Sequence, residues 1–171
     1  MSGRTLVAFA TMYGSTREVA QEVATALQET GADVDVRPAG DVKHLGDYDL
    51  VVLGAPLIMH RLHGDARKFV SRHRKGLQQR PVAVFALGPV THDEKEWQEC
   101  RAQFDAELGK LEGVAPVAAE MFGGRFDPAL LRFPFNKFAG AAEASDARDW
   151  EAIREWAADL PSHVAGSSAE N

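Results

Sequence analysis

"TLVAFATMYGST", residues 5–16, passes from an apolar run into a small, hydroxyl-rich turn, and residues 17–29 then take on helical spacing. Leu6, Val7 and Phe9 read as a buried strand, whereas Val19, Ala20, Val23, Ala24 and Leu27 recur as one helical face. The turn is therefore a strand-to-helix junction. The first backbone N–H groups of such a helix lack intrahelical partners, and the helix dipole leaves partial positive charge there, so the loop suits a phosphate or a carboxylate. Thr11, Ser15 and Thr16 add hydroxyls, and Gly14 lets the backbone come close. A second reading needs no ligand: Ser15 and Glu18 have the spacing of a capping box, which satisfies a helix end by itself.

The rest of the chain sets the frame. Its 171 residues fit one domain over 1–160, with the polar "PSHVAGSSAEN" at 161–171 expected to fray. The composition, 45% apolar and 26% charged, is that of a globular protein. Nineteen Lys and Arg against 25 Asp and Glu leave a formal charge of −6, which argues against a nucleic-acid binder and suits docking to a basic redox partner. Cys100 is the one cysteine and falls on the apolar series Trp97, Cys100, Phe104, Leu108, Leu111, as a buried structural thiol rather than a nucleophile. His44, His60, His63, His73, His92 and His163 form no HExxH pattern and have no cysteine partners, so no metal is expected. With neither a signal peptide nor an apolar run of spanning length, the expectation is a cytoplasmic protein without a transmembrane segment.

Four more strands follow: "ADVDVRPA" from residue 32, "YDLVVLGAP" from 48, "RPVAVFALG" from 80 and "GVAPVAAEMF" from 113. Between them lie helical patterns carrying Ala66, Phe69, Val70, His73 and Leu77, then a helix after Thr91 with Glu94 as its capping partner, and last Trp150, Ile153, Trp156, Ala157 and Leu160. Apolar strands alternating with helices predict an α/β fold, a doubly wound parallel sheet covered on both faces. Ligands bind such sheets at the carboxyl ends of the strands, here the loops starting at Thr11, Ala55 and Gly88. The basic run Arg67, Lys68, Arg72, Arg74, Lys75 reads as a solvated helix face, with a docking patch as the alternative.

At "VAFATMYGSTREVAQEV" the chain resembles the flavodoxin family, whose phosphate loop follows a hydrophobic strand ending in an aromatic; Phe9, Thr11, Gly14, Thr16, Ala20 and Val23 fit, and Ala8 is smaller than usual. "DYDLVVLGAP" and "VAVFALG" fall where that family has its third and fourth strands. The resemblance implies a flavodoxin-like five-stranded sheet of order 2-1-3-4-5 and FMN as cofactor. It places the phosphate on Thr11, Met12, Tyr13, Gly14, Ser15 and Thr16. The isoalloxazine is placed between Ala55, Pro56, Leu57, Ile58, Met59 and His60 on one side and Leu87, Gly88, Pro89, Val90 and Thr91 on the other. No side chain need act as nucleophile or base, because the flavin carries the chemistry. Flavodoxins commonly stack the ring between Trp and Tyr, whereas "PLIMHRLHG" and "GPVTHDEKEW" offer Met59, His60 and Trp97 without a tyrosine, leaving a ring face open. His60 or Arg61 would bring positive charge to a reduced flavin, or both are solvated loop residues.

A second departure is the stretch 121–148, an insertion between the last strand and last helix that holds Phe122, Phe126, Phe133, Phe135 and Phe138. Connections this long are functional or contain added structure, and Asp127 with Pro128 suits a short helix through Leu130 and Leu131. This layout, and the closing "DARDWEAIREWA", resemble the flavodoxin-domain group that includes menaquinone-dependent protoporphyrinogen oxidase. That likeness implies an FMN oxidoreductase that oxidises a small organic substrate and passes electrons to a quinone, with peripheral membrane contact through 121–148. Alternatively the phenylalanines only cover core or a second copy, and the chain is an electron carrier for a redox partner protein. A flavin-free receiver-type module is disfavoured, since Thr11 and Ala55 stand where acidic and phosphorylatable residues would be needed.

Overall fold

The computed structural model describes residues 3–132, 137 and 142–169. In chain order its elements are β1 (Arg4–Phe9), α1 (Ser15–Glu29), β2 (Asp33–Pro38), β3 (Leu50–Ile58), β4 (Arg61–Leu62), α2 (Gly64–Leu77), β5 (Val82–Leu87), α3 (Glu94–Gly109), β6 (Ala118–Phe122), β7 (Arg125–Phe126), β8 (Ser145–Asp146) and α4 (Trp150–Ala169). Five parallel strands pair in the order β2-β1-β3-β5-β6, which is 2-1-3-4-5 when the parallel strands alone are counted. The register sets Thr5 opposite both Val34 and Leu50, Val51 opposite Val82, and Ala83 opposite Ala118.

Alternation along each strand divides the core between the two faces of the sheet. Leu6, Val51, Leu53 and Val84 pack with Phe69, Val70 and Leu77 of α2 and Phe104 of α3. Val7, Phe9, Leu50, Val52 and Phe85 pack with Val19, Val23 and Leu27 of α1 and Ile153, Ala157 and Leu160 of α4. Helix α3 carries the expected stripe: Phe104 is buried, and Trp97, Cys100 and Leu108 lie half-buried on the same cluster. Burial pushes the Cys100 thiol up, and Glu96 and Glu99 add to it, which keeps the thiol protonated and unreactive.

Five local features differ from the sequence reading. The third strand runs on to Ile58 and folds back as a hairpin, with Leu57 opposite Leu62. Gly14 rather than Ser15 stands at the N-terminal boundary of α1, with no side-chain cap, and α3 is capped by Asp93, whose carboxylate accepts from the Glu96 N–H at 2.8 Å, rather than by Thr91. The expected turn after Asp127 is 3₁₀, Pro128–Leu130, and stops short of Leu131. Helix α4 continues past Pro161 to Ala169, through the segment read as a frayed tail, because Val164 still packs on the core. Phe133, Phe135 and Phe138 lie outside the described residues. Among the described residues, no helix is long and apolar enough to cross a membrane.

Candidate functional site

The turn after β1 is organised by its own residues. Gly14 adopts φ 91°, a left-handed conformation that costs glycine little, and its N–H donates to Thr11 Oγ1 at 2.8 Å. Ser15 thereby becomes the first residue of α1, and no side chain caps the helix. The capping box does not form because Glu18 is drawn elsewhere: its carboxylate accepts from Arg148 and pairs with Arg125 at 3.6 Å. The hydroxyl of Thr16 is fully buried and has no hydrogen-bond partner. An uncapped helix start, two hydroxyls and a glycine that brings the backbone close form an anion cradle.

A cavity of about 350 Å³ opens beside this loop, within the range of small-ligand sites. Met12, Tyr13 and Ser15 form one wall, Pro56 to Met59 of the β3–β4 hairpin a second, and Leu87, Gly88 and Val90 a third. The hairpin turn is Met59 and His60 at φ 48° and 67°. Left-handed conformations of this kind cost non-glycine residues of order 1 kcal/mol or more, and such strain concentrates at functional loops. Glu107 of α3, itself buried, holds the hairpin from behind by accepting the Leu62 N–H at 3.1 Å. Burial pushes this carboxyl up, but Lys110 at 2.7 Å, the Leu62 N–H and Arg61 outweigh it and keep Glu107 below the ordinary carboxylate range.

The fourth wall is Gly124, Arg125 and Phe126, residues that sequence reasoning did not assign to the site. They follow the carboxyl end of β6, one of two strand ends left out of the expected ligand loops, and topology was the signal available. Here β7 pairs antiparallel with β8, Arg125 opposite Asp146, at the two roots of segment 121–148. The roots meet closely: the Ala147 N–H donates to Gly124 O at 3.0 Å, and a Cβ on Gly123 would stand 2.0 Å from Ala147 O. Arg148 closes the junction. Its side chain is 5% exposed, chelates Asp146 at 2.9 and 2.7 Å, lies 4.7 Å over the Trp150 ring and reaches Glu18.

Arg148 donating to Asp146 holds that carboxyl below its usual range despite partial burial. A depressed folded-state value means that the stabilisation is fully present above the unfolded value near 4 and is lost as pH falls through the folded one. We expect Asp146→Asn to lower stability by about 1 kcal/mol at neutral pH, a figure already reduced for the exposure of Asp146. The difference from the parent should begin to shrink at about pH 4 and vanish once the pH falls below the folded-state value. Thermal midpoints of both proteins between neutral and acid pH check this, and a difference constant with pH refutes it.

Ten of the expected residues line the cavity: Met12, Tyr13, Ser15, Pro56, Leu57, Ile58, Met59, Leu87, Gly88 and Val90. The other seven sit behind or beside it. Thr11 and Gly14 shape the turn, Thr16 and Ala55 are buried, and Pro89 accepts the Gly124 N–H at 2.7 Å. His60 is exposed at the hairpin tip, and Thr91 binds Glu96. Trp97 turns away, its indole N–H donating to Thr91 O at 2.8 Å, while Tyr13, read only as part of the phosphate loop, supplies an aromatic ring to the cavity. Arg61 lines a neighbouring depression, so the cation on the cavity wall is Arg125.

A doubly wound sheet with an uncapped, hydroxyl-lined loop at its first strand–helix junction is the architecture of an α/β protein that binds a phosphate-bearing ligand. The chain belongs to the flavodoxin domain family, which matches residues 6–138, and its cofactor is FMN. It is 33% identical over 89 residues to protoporphyrinogen IX dehydrogenase (quinone) of Escherichia coli K12, a stretch that is 51% of this chain and 49% of that protein. The chain thus spans about half the length of the curated relatives it matches. In fold it is similar to oxidised flavodoxin 1 of Bacillus cereus, TM-score 0.58 at 20% identity over 94% of this chain and 99% of that one. It is also similar to the flavodoxin of Streptococcus pneumoniae TIGR4, TM-score 0.54 at 18% identity over 96% and 99%.

Proposed function

We propose that the chain is an FMN-dependent oxidoreductase that oxidises a small organic substrate and passes the electrons to a quinone. One observation carries the reading. The wall formed by Gly124, Arg125 and Phe126 is the root of segment 121–148, so the insertion springs from the rim of the cofactor cavity. The E. coli relative, whose name describes a quinone-dependent dehydrogenase, supports it. A reducing cytoplasm suits the single protonated cysteine.

The residues present fit the cofactor. A phosphate would be held by the N–H groups of the first turn of α1 with the hydroxyls of Ser15 and Thr16, and the buried Thr16 hydroxyl gains the partner it otherwise lacks. Thr11 orders the loop by accepting the Gly14 N–H. The hairpin residues Pro56 to Met59, with Leu87, Gly88 and Val90, would hold the ring in an apolar slot, and Tyr13 offers a face for stacking. Arg125 lines the wall with its charge partly offset by Glu18 at 3.6 Å and Asp127 at 3.4 Å. FMN when bound supplies reversible transfer of one or two electrons. The open side leaves room for a reactant beside Phe126 and Met59, the latter 89% exposed.

The test replaces residues 131–143 with a short Gly–Ser linker, which keeps the β7–β8 root. FMN content should stay as in the parent, while quinone reduction should fall at least about tenfold. A stable, yellow variant with undiminished quinone reduction would defeat the enzyme reading in favour of an electron carrier between proteins.

A further inference from the structure

A cavity of about 650 Å³ lies away from the flavin site, between residues 43–46 and the C-terminal half of α2. Helix α2 runs from the hairpin back to the amino end of β5, so this cavity sits at the pole of the sheet opposite the cofactor. Lys43, His44, Arg72, Arg74, Lys75 and Arg80 line it, and no aspartate or glutamate does. That is a sharp local imbalance in a chain with net charge −6.

The cations divide by task. Arg80 is structural: it donates to Gly76 O and Tyr48 O, each at 2.8 Å, and to Leu45 O, which fixes the 45–48 stretch against the end of α2. Arg74 is paired with Glu112 at 2.9 Å. Among the described residues no carboxylate lies within ion-pair reach of Lys43 or Arg72 from one wall to the other, nor of Lys75. The buried His73 forms the floor, bonded to Val42 O at 3.2 Å; burial, and then the charges of Arg72 and His44, depress its basicity, in keeping with cations crowded around it. Cations in the last turn of a helix offset its dipole, which accounts for Arg74 and Lys75. It does not account for Lys43 and His44, which come from another segment and face Arg72 across a concavity.

We propose that this cavity binds a compact, multiply charged anion of the oligophosphate or phosphate-ester class. Unpaired like charges held together repel, and an anion bridging Lys43, His44, Arg72 and Lys75 removes that repulsion. Arg72 supplies a planar fork and the lysines supply point charges, the mixture that suits phosphate oxygens. No Phe, Tyr or Trp lines the cavity, so recognition is by charge and does not extend to stacking on a base. The site is independent of the flavin reading.

The test titrates FMN-loaded protein with inorganic tripolyphosphate by calorimetry at about 20 mM salt, where surface charges are little screened. FMN keeps the phosphate loop occupied; if the chain takes up no FMN, the same titration on Ser15→Glu removes that loop as a competing site. One-to-one binding is expected, with at least about tenfold loss in the Lys43→Gln, Arg72→Gln double variant and none in Lys95→Gln on α3. Ring resonances of His44 and His73 in the unaltered protein should shift on titration while those of His60 and His92 stay, a readout that needs no variant. Absence of saturable binding, equal affinity in the double variant, unmoved His44 and His73, or binding only to phosphatidylglycerol vesicles would each overturn the proposal.

Discussion

Ser15→Glu should reduce FMN affinity at least a hundredfold, about 3 kcal/mol, and leave the fold intact. Ser15 is half-buried, lines the cavity and begins α1, so the added carboxylate projects where the phosphate would sit and competes for the same N–H groups. Thr16 allows a subtler experiment. Its hydroxyl is buried without a partner, which costs folding free energy that only a ligand recovers. Thr16→Val, close in shape, should therefore raise the stability of FMN-free protein by about 1 kcal/mol and weaken FMN roughly tenfold. Thr5 is the control, because its hydroxyl is equally orphaned but lies within β1. Thr5→Val should raise stability and leave FMN untouched. Fluorescence titration with FMN and thermal midpoints separate the cases; Ser15→Glu binding FMN like the parent would move the phosphate out of this loop.

The second large effect is expected at Glu107→Ala. The substitution strips the buried Leu62 N–H of its acceptor and leaves a hole under the hairpin, for a loss of about 3 kcal/mol. Lys110, largely exposed, returns to solvent and adds little. Because the hairpin carries Met59 and His60 in left-handed conformations, its release lets the turn relax away from the cavity, and FMN affinity should fall about tenfold as well. Glu107→Gln keeps an acceptor for the Leu62 N–H and should recover most of the affinity. A destabilised Glu107→Ala that still binds FMN normally would show that the hairpin takes no part in holding the cofactor.

The β1–turn–α1 unit was legible because two different periods meet at Thr11 to Thr16; the strand pattern gave the parallel α/β class, and the sheet order came only with the family resemblance. The hairpin was not legible. Tight two-residue hairpins announce themselves by Asn–Gly or Asp–Gly, and Met59–His60 carries no such mark; packing of Leu62 and its bond to Glu107 impose the turn from outside. Glu107 drew no reading from the sequence, since nothing local reveals that Leu62, 45 positions earlier, lies against it. The capping box, the alternative reading of the turn, fails for a related reason: the spacing of Ser15 and Glu18 is right, but the Glu18 carboxylate is taken by Arg148, 130 residues on. In each case a distant partner overrides a local rule.

The joined roots of segment 121–148 have a consequence for how such a chain diversifies. Gly123 against Ala147, Arg125 opposite Asp146 and Arg148 on Glu18 close a neck, so whatever hangs beyond it begins and ends at one fixed place on the sheet. Once the ends of a loop are pinned, doubling its length costs only about 0.6 kcal/mol of closure entropy. Residues beyond the neck are thus free to lengthen, shorten or change composition without disturbing strand register or the phosphate loop. A single scaffold can in this way exchange one reactant-facing appendage for another while its cofactor machinery is inherited unchanged.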